Sequence, residues 1–149
     1  MISFTVYGEP ATAGSKTGFY NKKLNRVLMT PASKKTKPWM QEVSCTAKAE
    51  YQGPLLTGPI RYRMKFYFQR PSSHFGSGRN AGNLKSSAPK YHTKKPDAIK
   101  LARAVEDALT GIVWKDDSQC YDANPVKAYT DGKSRVEIEI EEIKENDLF

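Results

Sequence analysis

Cysteine and histidine are scarce in this chain, with two of each in 149 residues. Cys45 and Cys120 form no CxxC, and no Cys/His group has zinc spacing, which argues against a structural zinc site. Two such thiols are expected to be reduced and partly buried in a cytosolic protein. Long apolar runs are also missing. None approaches the roughly 20 residues needed to span a bilayer, so no membrane partner is expected. The opening MISFTVYGEP lacks the basic start and apolar stretch of a secretory signal, which points to the cytoplasm. Acidic residues are few over the first two thirds: residues 1–96 hold 3 Asp and Glu against 17 Lys and Arg.

What the chain has is positive charge, unevenly placed. The formal net charge is +8, yet residues 97–149 hold 13 Asp and Glu against 7 Lys and Arg. The excess argues for a polyanionic partner, nucleic acid before membrane. The first two thirds can supply a phosphate-binding surface, and the last third carries nearly all the carboxylates. The length fits one domain, 1–149, able to bury a core without disulfides or a structural metal.

Ile2, Phe4 and Val6 alternate in ISFTVYG, which predicts a strand, and GEPATAGSK reads as a loop. TGFYNKKLNRVLMTP suggests a short hairpin turned at Asn21-Lys22-Lys23. Pro38, Trp39, Val43, Ala47 and Tyr51 recur near helical spacing, a helix of about four turns. PIRYRMKFYFQRP is the clearest strand. Tyr62, Met64, Phe66 and Phe68 share one face; Arg61, Arg63, Lys65 and Gln69 share the other, as a solvated face or a flat surface for phosphates. Residues 71–93 form a long Ser-, Gly-, Asn- and Pro-rich loop. It carries Arg79, Lys85 and Lys90 beside Phe75 and Tyr91, suited to tracking a DNA backbone and stacking on an unpaired base. A flap without contacts is the plainer alternative.

Pro96 and Asp97 open a second helix whose apolar face is Leu101, Ala104, Val105, Ala108 and Leu109, and Gly111 closes it. GIVWKDDSQCYD reads as a short strand, a turn and another strand; NPVKAYTDGKSRVEIEIEEI reads as a hairpin turned by Asp131-Gly132. The segment 144–149 reads as a frayed tail. The expected class is α+β, a small mixed sheet with two main helices.

Two acidic spots stand out. Asp97 opens the second helix, and Asp116-Asp117 ends the short strand that follows it. A helix followed by a returning strand brings the two spots side by side. Clustered carboxylates repel unless a cation sits between them, and hard oxygen ligands suit Mg²⁺. Lys94, Lys95, Lys100 and Arg103 frame the spots with the cations that phosphodiester cleavage needs to hold a strand. Taken singly, Asp97 is also a plain helix cap and Asp116-Asp117-Ser118 a plain turn.

The run KKPDAIKLARAVEDALTG followed by WKDDSQ resembles the signature of the RusA family of Holliday junction resolvases, widespread in phages and prophages. The matching residues are Lys95-Pro96-Asp97, Leu101, Asp107-Ala108-Leu109 and Asp116-Asp117-Ser118-Gln119. ISFTVYGEP and SRVEIEIEEI resemble the family's first and last strands. The resemblance implies a homodimer that binds four-way DNA junctions and cuts them with Mg²⁺, or Mn²⁺, and no small-molecule cofactor. A two-fold dimer suits a two-fold substrate. It implies catalytic and metal-binding roles for Asp97 and Asp117, with Asp116 beside them. The catalytic Lys of the helix falls on Arg103, which keeps the charge but cannot exchange a proton near neutral pH. DNA contacts are expected at Lys94, Lys95, Lys100, Arg61, Arg63, Lys65, Arg79, Lys85 and Lys90.

One position departs from the pattern. The family's second motif Asp falls on Ile99 and the following Asn on Lys100, and Ile cannot ligate a metal. Asp107 is expected to be no substitute, since ten residues along a helix is roughly 15 Å, and Glu106 is expected on the opposite face. Three alternatives stay open: Asp116 joins Asp97 and Asp117, the chain binds junctions while cutting them poorly, or Ile99 was introduced deliberately to abolish activity.

Overall fold

The computed structural model describes residues 1–14, 16–31 and 34–144; most of the expected frayed tail lies outside them. Strand β1 (Ile2–Tyr7) is followed by a hairpin of β2 (Lys16–Asn21) and β3 (Arg26–Pro31) and by helix α1 (Thr36–Glu50). Strand β4 (Ile60–Gln69), helix α2 (Ala98–Leu109) and strands β5 (Cys120–Thr130) and β6 (Arg135–Glu142) complete the order. The α+β class and the mixed sheet are as expected. The four-stranded sheet runs β1-β6-β4-β5, with β4 antiparallel to β6 and parallel to β5.

Period-2 patterning sets the sheet's two faces. In β4, Ile60, Tyr62, Met64, Phe66 and Phe68 are all buried. They join Phe4, Val6, Val136, Ile138 and Ile140 from the neighbouring strands in one core. Helix α1 adds Trp39, Val43 and Ala47, one turn apart, and α2 adds Leu101, Ala104, Val105, Ala108 and Leu109. The helices touch each other, and Ser44 Oγ donates to the Ala108 carbonyl at 3.0 Å. Among the described residues no helix is long and apolar enough to cross a membrane.

Three expectations about elements need correction. Residues 112–114 are a tight turn rather than a strand. Gly111, at φ +85°, donates to the Trp114 carbonyl at 2.8 Å, and Val113 donates back to Leu109 at 3.0 Å. Next, β5 and β6 are not a hairpin. β4 lies between them, so the 131–134 link passes the end of β4, where Ser134 Oγ accepts from the Gln69 backbone at 3.1 Å. Last, the 71–93 segment is folded back on itself. Gly76 donates to Asn83 and Lys85 to His74, both at 2.9 Å, and Arg70 Nη1 reaches the Pro89 carbonyl at 2.7 Å. The thiols are free, as expected, but Cys45 is exposed rather than partly buried.

Candidate active site and nucleic-acid interface

Helix α2 carries the site. Asp97 takes the N-cap position in extended conformation (φ −73°, ψ 138°), but its carboxylate makes no capping bond. It is exposed and stands 3.9 Å from Lys100 Nζ. A negative charge here is favoured by the partial positive charge of the helix start. Ile99, Arg103 and Asp107 follow at four-residue intervals and are all exposed, so they share the helix's open face. Ile99 is 71% exposed, in the first turn. The loop after β1 runs beside this helix: Ala13 donates to the Lys100 carbonyl at 3.1 Å, and Arg103 lies against Gly14.

Asp116 and Asp117, adjacent in sequence, do different work. Asp116 caps the short 3₁₀ turn 117–119. Its Oδ1 accepts from the Ser118 backbone at 2.9 Å while Gln119 Oε1 accepts from the Asp116 backbone at 2.8 Å. Those bonds hold the Asp116 carboxyl below its ordinary range. Gln119 Nε2 also donates to the carbonyls of Leu56 and Gly58, both at 2.9 Å, pinning the turn to the 56–58 segment. The Asp-Asp-Ser-Gln run is thus a local brace, and it leaves Asp117 as the carboxylate facing other acids.

Those acids are Glu106 and Asp107. Burial raises both carboxyls, and the charge of Asp117 raises them further, while Arg103 opposes the shift on each. Glu106 also accepts from the Tyr62 hydroxyl. Glu106 and Asp107 remain apart from Asp97 along the helix, but both feel the charge of Asp117. The chain returns from α2 through one tight turn, and the charge of Asp117 acts on residues of the helix's last turns. Of the predicted acids, Asp97 stands at the start of α2, before Ile99 and Arg103, while Asp117 follows the helix and acts on the acids of its last turns.

This chain matches the family described as "Endodeoxyribonuclease RusA" over residues 10–141. It belongs to the RusA family. It is also 34% identical to the uncharacterized protein YqaN of Bacillus subtilis (strain 168) over 143 residues, 95% of this chain and 96% of that one.

RusA-family resolvases are generally dependent on a divalent metal, so the donor set must be asked whether it suits one. Among the described residues no three His, Cys, Asp or Glu side chains are grouped so as to hold a metal ion; Asp97, Asp116 and Asp117 do not form such a group. The donor chemistry still fits. Asp117 and Asp107 carry hard oxygens, and Mg²⁺ needs only one or two protein carboxylates alongside substrate phosphate and water.

The RusA-like basic surface differs from the expected one. Arg61, Arg63 and Lys65 stand in register opposite Glu141, Glu139 and Glu137, and Arg61 is ion-paired to Glu141 at 2.8 Å. That face is charge-balanced, not a basic strip. Arg79, Lys85 and Lys90 are exposed on the folded 71–93 segment. Lys94 and Lys95 are exposed at the entry to α2, and the backbone there is held by Lys127, whose Nζ donates to the carbonyls of Lys94 (2.7 Å) and Pro96 (2.9 Å). Sequence reasoning missed Lys127, Gly14 and Asp107, and also His92, which is buried under the Lys94–Lys95 segment. Only Asp107 carried a signal, its place in the Asp-Ala-Leu run.

Proposed function

We propose that this RusA-family protein is a structure-selective endodeoxyribonuclease that resolves four-way DNA junctions in recombination and repair, acting in the bacterial cytoplasm from a phage or prophage gene. The observation that carries the reading is the open face of α2: an uncapped Asp97, the guanidinium of Arg103 and the carboxylates of Asp107 and Asp117. Asp117 and Asp107 would hold a divalent cation, Mg²⁺ or Mn²⁺, while Asp97 stands apart from that ion at the helix start. That ion would supply positive charge against the phosphoryl oxygens as the bond breaks. Arg103 supports the same charge, always protonated and packed close to Gly14. Lys94, Lys95 and Lys100 hold the strand at the helix entry, while Asp116 keeps Asp117 in position through the cap it forms. A homodimer places one such face at each of two equivalent strands.

A second reading has its own observation. Ile99 is an exposed apolar residue where a motif Asp is expected, and it favours a junction-binding protein that cuts poorly. Cleavage of a labelled four-way junction in Mg²⁺ and Mn²⁺ separates the two, comparing the protein with Ile99→Asp. Cutting by the unaltered protein supports the nuclease. Cutting only by Ile99→Asp supports the second reading and locates the lesion. Junction binding with no cutting by either removes the catalytic assignments. Asp117→Asn is expected to abolish cleavage and to leave junction binding intact or tighter, because it removes a negative charge near the DNA. Retained cleavage would exclude Asp117 from the site.

A further inference from the structure

A cavity of about 400 Å³ opens just before α2, lined by Lys94, Lys95 and Pro96 on one side and by Gln69, His92 and Tyr129 on another. Its rim and floor differ in kind. Lys94, Lys95 and Gln69 are exposed. The floor is aromatic: the His92 ring stacks on Phe68 at 4.5 Å and meets Tyr129 at 4.9 Å. His92 is 9% exposed, and its Nδ1 has no hydrogen-bond partner among the described residues. Burial, and then the nearby Lys127, lower its pKa, so it stays neutral and keeps one donor and one acceptor nitrogen. Glu9 is the one carboxylate among the described lining residues.

We infer that this cavity seats one unpaired nucleotide of the branched DNA, its phosphate against Lys94 and Lys95 and its base over the His92–Tyr129 floor. Cavities that hold small ligands begin near roughly 300 Å³, so the volume admits one nucleotide. The half-buried Tyr129 ring, tilted 49° from His92, offers an aromatic surface that any base accepts, and a cationic rim follows its backbone. The rim leads straight into Asp97, two residues past Lys95, so a nucleotide held here brings the adjoining strand to the start of α2. Extruding a base costs least where pairing is already interrupted, as at a branch point. The pocket would therefore favour branched over continuous duplex. This inference rests on the junction-directed reading above.

The test measures binding without metal, to exclude cleavage. Three DNAs are compared: a linear duplex, a four-way junction with one unpaired thymine at the branch point, and the same junction with an abasic unit at that position. Two variants are used. Gln69→Glu puts a carboxylate at the rim from an exposed position, and His92→Phe keeps a flat ring but removes both nitrogens. The unaltered protein should bind the thymine junction about tenfold more tightly than the abasic one, roughly 1.4 kcal/mol. Gln69→Glu should lose that difference, His92→Phe should retain it because a ring still lines the floor, and both should keep their affinity for linear duplex. Equal binding of the thymine and abasic junctions by the unaltered protein overturns the pocket without any variant, whatever the variants' folding. Weakening by Gln69→Glu that is the same on duplex and junction also overturns it, assigning the lysines to general phosphate contact. Failure of the unaltered protein to prefer either junction over duplex overturns the junction-directed reading itself, and the pocket with it.

Discussion

Arg103 owes its position to a residue with no side chain. Gly14 sits at φ +92°, and a Cβ there would stand 2.4 Å from Arg103 Nη1. Only glycine takes that backbone without strain and allows the approach. The sequence marked the segment as a loop but had no means of pairing it with a helix 89 positions away. Asp97 and Asp117 were legible because motif residues sit at recognisable spacing. The effect of Asp117 on Asp107 was not legible, because it comes from across a turn and axial distance along one helix cannot see that. The same acids act on Cys120, whose thiol burial pushes up to about 12, with Glu106 and Asp117 adding to the shift. At pH 8 it therefore stays protonated, while Cys45 is exposed. Iodoacetamide is expected to alkylate Cys45 well before Cys120 in the native protein, as followed by peptide mass spectrometry. Equal rates would show that the acid cluster does not surround Cys120.

Helix α2 was the most legible element, since its apolar spacing, acidic start and terminal glycine all agree. Its inner face is also what holds the open face in place. Leu101 is fully buried one turn into the helix and faces away from the exposed Ile99 and Arg103. Leu101→Ala is expected to cost about 2–5 kcal/mol, read as a lowered urea midpoint with an unchanged slope. A loss below about 1 kcal/mol would mean the helix packs less tightly than its burial indicates. Strand pairing was less legible. Alternation told which residues of β5 and β6 form strands, but not that β4 lies between them, because period 2 fixes a face and not a neighbour. The link 131–134 looked like a hairpin turn on its Asp-Gly alone, and its true route depends on the end of β4, far away in sequence. The strand expected at 112–114 failed for a similar reason. Its apolar residues are buried, as a strand's would be, but Gly111 turns the chain before any ladder forms.

Charge at the scale of the whole molecule was read correctly as a total and only in part as a distribution. The basic excess of residues 1–96 is real, yet the acidic last third contributes β6, which lies beside β4 and sets a glutamate opposite each of Arg61, Arg63 and Lys65. Folding therefore neutralises the most obvious basic strip and leaves unanswered cations elsewhere, with Lys94 and Lys95 beside the start of α2. The two groups should behave differently toward DNA. Replacing Arg61, Arg63 and Lys65 together with Gln removes three positive charges and breaks the Arg61–Glu141 pair, while Glu137 keeps Arg135. If that face takes no part in binding, junction affinity should fall only through the long-range change in net charge, and the slope of log affinity against log salt should barely move. Replacing Lys94 and Lys95 with Gln removes two direct phosphate contacts, so the slope should fall by about 0.9 per lysine and affinity should drop steeply at low salt. Titrations of a labelled four-way junction between 50 and 200 mM salt, a range of order that resolves such slopes, compare the two sets of variants. A larger slope change from the β4 set would return the DNA to the sheet face and take it away from the entry to α2.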